Sequence, residues 1–380
     1  MKGLKLTFAN VGYGEAILIQ AEDPAYQDQT FTMIIDGGSG EPDEFEGSTT
    51  GRRPFIDYLK ESGISHVDLM VNTHIHEDHT VGLLPLAKEY KPDRFWQTLP
   101  VDYYKSMRVL DREGADTVSG GKFLGAINAY REICLELESK GCRIEQTSLL
   151  ADQAREGQGT GEGQGKGEGA NADAGQDAGA GSGWISLAKD LKVMILAPVR
   201  AQEEMLLSLM DDIFAHMDDE SLLRKARNRA DADMNNLSII LMLDYKGKRI
   251  LLPGDTNFAG YQYILKSEDP ERIPDQAAGS SILKADIFKV GHHGQKDGIG
   301  REVFRLIRPD YVVCCASSDR RYLSAAPQIL AMMQEEGAGL YYSDCPDVPP
   351  YTDGLKPHKA VSFVISPEGD IRTEYETDAD

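Results

Sequence analysis

The stretch THIHEDHTVG, residues 73–82, places three of the chain's 8 histidines and two acids within ten residues. Imidazole nitrogens and carboxylate oxygens are the donor atoms that bind Zn²⁺, Mn²⁺ and iron. His74 and His76 stand two apart, and Asp78 and His79 follow at once. On a helix, residues two apart do not share a face, whereas on extended chain they do. The run therefore suits a loop after a strand, and the apolar VDLMV before it reads as that strand. A structural zinc site would favour cysteine thiolates, and none of the 5 cysteines lies nearby in sequence. Nitrogen and oxygen donors with open positions point to catalysis; the competing reading is a solvated polar loop.

Two other strand ends carry the same residue types. Asp255 closes the apolar run in LLPGDT, where an acid after Pro-Gly has no hydrophobic reason to stand. His292 and His293 close another run in KVGHHG. Ligands from several strand ends can converge on one sheet edge. His66, His216 and His358 stand alone in their segments and read as structural residues.

The elements that must position these residues are short apolar strands with polar C-terminal ends. LKLTFAN and AILIQ flank the glycine turn VGYGE, and FTMIIDGGSG runs apolar up to Asp36. Residues 52–62 have helical spacing and a glycine stop, a helix is expected from about residue 80, and KFLGAINAYREICLELESKG is amphipathic. LKVMILAPV is a strand, IILMLDYKGKRILL a hairpin about Lys-Gly, and DYVVCCAS a further strand. A helix over 326–336 and a final hairpin in KAVSFVISPEGDIRTEYE complete the pattern.

The chain reads as one domain over residues 1–380 with two interruptions. Residues 155–184 are glycine-rich with almost no apolar content, which predicts a disordered insertion, since such a segment cannot offset its ordering entropy. A glycine-rich phosphate cradle would need a strand before it and a helix after it. Residues 201–230 read as a helical, acidic insertion with a basic end, RKARNR.

With the strand ends in place, HIHEDH resembles the HxHxDH signature of the metallo-β-lactamase superfamily, with IIDGG upstream of it and LLPGDT and KVGHHG downstream, in that family's order. More narrowly, LTFANVGYGEAILI resembles the opening of the soluble domain of ComEC-type competence proteins, as do NNLSIILMLDYKGKRILLPGDT and FKVGHHG. The resemblance implies a four-layer αββα sandwich with metals at the strand ends. It implies two divalent ions, Zn²⁺ or Mn²⁺: His74 and His76 on the first, Asp78 and His79 on the second, Asp255 bridging. It implies His293 as the remaining ligand, His292 nearer the substrate, and Asp36 bracing the histidine loop. Many members supply a further histidine to the first ion from between the motif and the bridging aspartate. Here that interval holds only His216, inside the acidic insertion, and Asn235 and Asn236 stand before the next strand. A weaker first site is therefore implied, and β-lactamase or thioesterase activity is disfavoured.

The expected chemistry is hydrolysis by a water that the metals acidify, with Asp78 or Asp255 orienting it and His292 protonating the leaving oxygen. A phosphoester, and an anionic small molecule in general, is the expected substrate. Lys289 and SSDRRY, residues 317–322, are candidates for meeting its charge; a solvated basic loop is the alternative for both. A ComEC-like nuclease, a lactone or ester hydrolase, and a non-catalytic binding module are the competing readings. Net charge of −22 opposes nucleic acid and anionic membrane. No run of 18 apolar residues is present, the start lacks a signal-like apolar region, and the cysteines are irregularly spaced. A cytoplasmic protein with free thiols and no membrane segment is expected.

Overall fold

The computed structural model describes residues 3–157, 182–266 and 281–377. β1 (Leu4–Ala9), β2 (Ile17–Glu22) and β3 (Thr30–Ile35) form an antiparallel meander whose one face carries Leu4, Leu6, Phe8, Ile17, Ile19, Met33 and Ile35. The opposite face of the same strands carries Leu18 and Ile34. Both faces being apolar, these strands must be covered on both sides.

The chain then turns to parallel pairing. α1 (Phe55–Glu61) leads into β4 (Leu69–Val71), which pairs parallel with β3. The one-turn α2 (Glu77–Thr80) and α3 (Leu83–Glu89) precede β5 (Arg94–Gln97). After the short α4 (Tyr103–Ser106), the long α5 (Val118–Ser139) starts on a Thr117 cap whose hydroxyl accepts from Gly120 N. β6 (Arg143–Gln146) completes the parallel set, and α6 (Thr147–Glu156) follows it directly.

The second half builds another sheet. β7 (Trp184–Ala188) and β8 (Leu191–Ala197) form a hairpin, and α7 (Arg200–Ala215) and α8 (Glu220–Met234) form a helical pair. β9 (Ile240–Tyr245) and β10 (Lys248–Leu252) join through Lys246 and Gly247, both at positive φ (53° and 82°), the backbone a two-residue hairpin demands. α9 (Phe258–Leu265), β11 (Ile287–Lys289), α10 (Arg301–Ile307), β12 (Tyr311–Cys314), α11 (Pro327–Glu335) and β13 (Gly339–Tyr342) continue in parallel pairing. β14 (Ala360–Ile365) and β15 (Ile371–Glu376) return to the first sheet beside β1.

Among the described residues the first sheet runs β15-β14-β1-β2-β3-β4-β5-β6 and the second β13-β12-β11-β10-β9-β8-β7. The inner faces meet in one apolar layer: Leu6, Ile19 and Met33 from the first sheet, Val193, Leu241, Leu243 and Ile250 from the second. Outer layers bury α1, α3 and α5 on one side, and α9, α10 and α11 on the other. The result is a four-layer αββα sandwich.

Several expectations shift at element boundaries. The helix expected from about residue 80 is two pieces, broken at Gly82. A Cβ there would sit 2.0 Å from the Gly37 carbonyl oxygen, and one on Gly37 would sit 2.3 Å from Gly82 C. This close approach docks the turn after β3 onto the helix after the histidine loop. Arg155 and Glu156 close α6 and Trp184 opens β7, so both ends of the 155–184 stretch belong to regular elements. Its remainder, 158–181, lies outside the described residues. β5, β6, α6, β7, α9 and β13 carry no marked pattern of their own and escape sequence reading. No described helix is long and apolar enough to cross a membrane.

Candidate metal centre

β3 and β4 end side by side, and their ends set the site. Asp36, at φ 56°, is completely buried and receives four donors. Its Oδ1 accepts from Thr73 N at 2.8 Å and from Asn72 Nδ2 at 3.4 Å. Its Oδ2 accepts from the Thr73 hydroxyl at 2.6 Å and lies 2.8 Å from His79 Nδ1. The histidine loop is thus tied to the neighbouring strand. Gly37 N also donates to His79 O, and Gly82 N to Gly38 O.

These bonds decide the histidine tautomers. The Thr73 proton goes to Asp36, so at 3.0 Å Thr73 Oγ1 accepts from His74 Nδ1–H. His74 Nε2 is left as a bare lone pair, 3.1 Å from His76 Nδ1. His79 gives Nδ1–H to Asp36, and its Nε2 is buried without a hydrogen-bond partner. His293 gives Nδ1–H to Cys315 O at 2.7 Å, which turns Nε2 inward. Outward nitrogens held by protein acceptors, with inward nitrogens left open, is the arrangement of metal-binding imidazoles.

Inward atoms of Asp78, His79, Asp255 and His293 all lie within 4.8 Å of one another. Asp255 Oδ2 is 2.8 Å from His293 Nε2 and 3.4 Å from His79 Nε2, and Asp78 Oδ2 is 3.1 Å from His293 Nε2. The His74 ring centroid stands 4.2 Å from that of His79, so the His74–His76 pair adjoins this quartet. The donor set and its orphaned Nε2 atom fit divalent ions.

The buried acids and imidazoles of the cluster act strongly on one another. Burial pushes the His79 and His293 imidazoles down, but Asp255, with Asp78, outweighs it. His79 ends well above its ordinary value, and His293 is pushed up to about 9. Burial pushes Asp78 and Asp255 up, but the same histidines hold both below the usual carboxylate range, with Lys289 helping at Asp255. The two acids and the two histidines thus hold one another's charge in the buried cluster. His74 is pushed well down by burial, with His79 and His76 adding.

The remaining candidates divide. His292 lines the cleft, its Nδ1 2.9 Å from Asp297 Oδ1 and its Nε2 3.1 Å from Asn235 Nδ2. Asn235 faces the cleft with Oδ1 buried and unbonded, whereas Asn236 is not among the lining residues. Lys289 departs from expectation. It is fully buried behind Asp255, donating to Asp255 Oδ1 at 3.0 Å and Gly254 O at 2.8 Å, and ion-paired to Glu15. It meets the charge of its neighbours, not of a substrate. Of residues 317–322, Arg321 and Tyr322 reach the cleft; Arg321 is paired with Glu44 at 2.7 Å and lies over the Tyr13 ring. His216 ends α7, with Nδ1 2.9 Å from Asp212 O, and lies outside the cleft.

The cleft has a volume of about 260 Å³ and is also walled by Tyr13, Ser119, Lys122, Phe123 and Asp231. Sequence reading passes over these, and over Glu15, which looks like part of a glycine turn. A lysine inside the apolar IFKV was the one available sign of a buried charge, and it called for a buried acid to match.

Two outcomes follow. Asp36→Asn forces an amide N–H against Thr73 N–H or His79 Nδ1–H. It should cost about 1–3 kcal/mol in urea unfolding and weaken metal binding about 10–100-fold. The metal-free protein should lose stability as pH rises from about 6.5 towards about 9, because His293 is pushed up to about 9 in the folded chain from its ordinary 6.5. Metal affinity should rise over the same window, with proton release measurable by calorimetry in buffers of different ionisation enthalpy. Affinity independent of pH there would contradict the charge balance.

Comparison with known proteins reaches the segment that carries IIDGG and HIHEDH. The Metallo-beta-lactamase superfamily model matches residues 10–107. ComE operon protein 3 of Bacillus subtilis (strain 168) is 27% identical over 113 residues, 30% of this chain and 13% of that protein. CmlA, a diiron beta-hydroxylase from Streptomyces venezuelae, aligns over 89% of this chain and 52% of its own, at 12% identity and a TM-score of 0.38. The chain therefore spans only part of these two proteins' length. The segment that resembles the metallo-β-lactamase superfamily thus holds Asp36 and the histidine loop, while the remaining donors stand on the strand ends of the second sheet.

Proposed function

We propose that the protein hydrolyses a small phosphoester, with two divalent ions, Zn²⁺ or Mn²⁺, at the cleft floor. The observation that carries this is the pairing of two adjoining donor sets: His74 with His76, and Asp78, His79, Asp255 and His293. The first ion would be held by His74 Nε2, His76 Nδ1 and Asn235 Oδ1. The second would be held by Asp78, His79 Nε2 and His293 Nε2, with Asp255 between the two. Bound ions would bring the pKa of a water towards about 7 and neutralise charge on a phosphoryl oxygen.

The chain's own residues supply orientation and proton handling. Lys289 fixes one Asp255 oxygen, so the other is aimed into the cluster. Burial pushes Glu15 up and Lys289 down; Glu15 and Asp255 outweigh burial on the lysine and keep it charged. His292 stands at the rim with Asp297 beside its Nδ1, which orients the ring for proton handling at a leaving oxygen. Phe123 and Tyr322 offer apolar surface beside Lys122 and Arg321.

Phosphoester is preferred to nucleic acid because the cleft is small and the net charge is −22. Acids line the cleft, so an anionic substrate is drawn by the ions rather than by the protein's field. Lactone or ester hydrolysis, and metal binding without catalysis, are the readings the test must exclude.

A chromogenic phosphodiester assayed with added Mn²⁺ or Zn²⁺ tests this. Turnover should vanish on chelation and fall about 10³-fold in Asp255→Ala, the several kcal/mol that metal charge stabilisation supplies. His292→Gln should lose about 10²-fold with metal content unchanged. Fully loaded, folded protein that turns over a chromogenic ester or lactone but no phosphodiester would overturn the assignment, and turnover of single-stranded oligonucleotide alone would transfer it to a nuclease.

A further inference from the structure

Three of the four inward-facing histidines are held by residues on the strand-end loops: His74 by Thr73, His79 by Asp36, His293 by Cys315. His76 is the exception. Its Nε2 is buried and makes no aligned hydrogen bond, yet Asp231 Oδ1 lies 3.2 Å away. Asp231 is on α8, one turn before Asn235, and residues four apart share a helix face. Both line the cleft. The opposite edge of the His76 ring packs near Phe123 of α5, with centroids 5.6 Å apart.

The tautomer of His76 follows from this neighbour. A bare Nε2 lone pair facing a carboxylate at 3.2 Å is repulsive, so Nε2 is the nitrogen that carries hydrogen. Nδ1 then offers its lone pair towards His74 Nε2, whose hydrogen is already committed to the other side of its ring. Two lone pairs converging at 3.1 Å call for a cation between them.

We propose that Asp231 is a positioning residue for the first metal ion. Its carboxylate accepts His76 Nε2–H, fixes the ring so that Nδ1 faces the ion, and makes the α7–α8 pair part of the metal centre. A small rotation of the carboxyl turns the present contact into a charge-assisted hydrogen bond. α8 thus supplies Asp231 behind one ligand and Asn235 at the open side. The inference rests on the two-metal reading above.

Mn²⁺ titration of wild type, Asp231→Ala, Asp231→Asn and Asp233→Ala, followed by calorimetry and by the electron paramagnetic resonance of free Mn²⁺, tests it without any substrate. Wild type should show two classes of site. Asp231→Ala should weaken the weaker class about 10–100-fold and leave the tighter class unchanged. Asp231→Asn, which keeps an acceptor oxygen, should recover part of the loss, a rescue that a merely structural role would not give. Asp233→Ala should match wild type, and circular dichroism should show the helices intact in every variant. A wild-type isotherm in Asp231→Ala overturns the inference, as does a single class of site in wild type and variant alike. Two ions bound without phosphodiester turnover would sink the phosphoester reading while leaving this inference standing.

Discussion

The structure around the metal centre depends on one buried carboxylate. Asp36 has no access to water, and an unsatisfied buried carboxylate would be very costly. Its four donors come from Asn72, Thr73 and His79, all on the neighbouring strand end and its loop. The carboxylate can be satisfied only if the histidine loop is folded back over it. The loop is correct only if Asp36 is there to receive Thr73 and His79. The left-handed backbone at Asp36 and the contact between Gly37 and Gly82 let this happen without a side chain in the way. Asp36 therefore acts at a distance. It touches no substrate, yet it sets which nitrogen of His79 faces inward and, through Thr73, which nitrogen of His74 does.

A second buried charge repeats the device on the other sheet. Lys289 lies on β11, fully enclosed, and its ammonium is shared by Asp255, Gly254 and Glu15. Glu15 comes from the loop between β1 and β2, whose backbone N–H also donates to Asp78 O at 3.1 Å. One loop thus contacts the ligand loop of the first sheet and the charged support of the second. An ion pair spanning two sheets is poor evidence of net stability, because desolvation offsets much of its Coulomb gain. Its value here is registry: it fixes where Asp255 sits relative to Asp78.

Much of the site was legible because ligand chemistry is concentrated in short segments. HIHEDH, LLPGDT and KVGHHG each end a strand, and strand ends can be read from apolar runs. The layers were legible for a related reason: strands apolar on both faces need cover on both. The supports were less so. Lys289 was expected to face a substrate, because sequence gives no direction to a side chain at the end of a buried strand. Asp231 sits in the helical ADADM, where nothing in the residue types separates it from Asp233 two positions on. Short strands such as β5 and β6 escaped because four residues show no period. They are recognised only by the partners that hydrogen-bond to them.

The turn at residues 292–293 shows why two adjacent histidines need not share a task. Both lie in the left-handed region, at φ 47° and 51°, which for non-glycine residues costs of the order of 1–3 kcal/mol. Consecutive left-handed residues swing successive side chains to different sides. His293 is driven inward, where Asp255 and Asp78 receive its Nε2, while His292 is left at the rim between Asn235 and Asp297. An extended backbone would also part the two rings, but without the backbone bonds that lock them: Ala325 N donates to His293 O and Ala326 N to Gly294 O. Those bonds anchor the turn to the segment just before α11. The strained backbone is thus held by the segment leading into α11, and it sends one ring of the dipeptide inward and leaves the other at the rim. Asn235 beside His292 then links the rim to α8, so the helical pair that carries Asp231 beside His76 also touches His292. Metal loading and proton transfer should therefore be sensitive to the same helix.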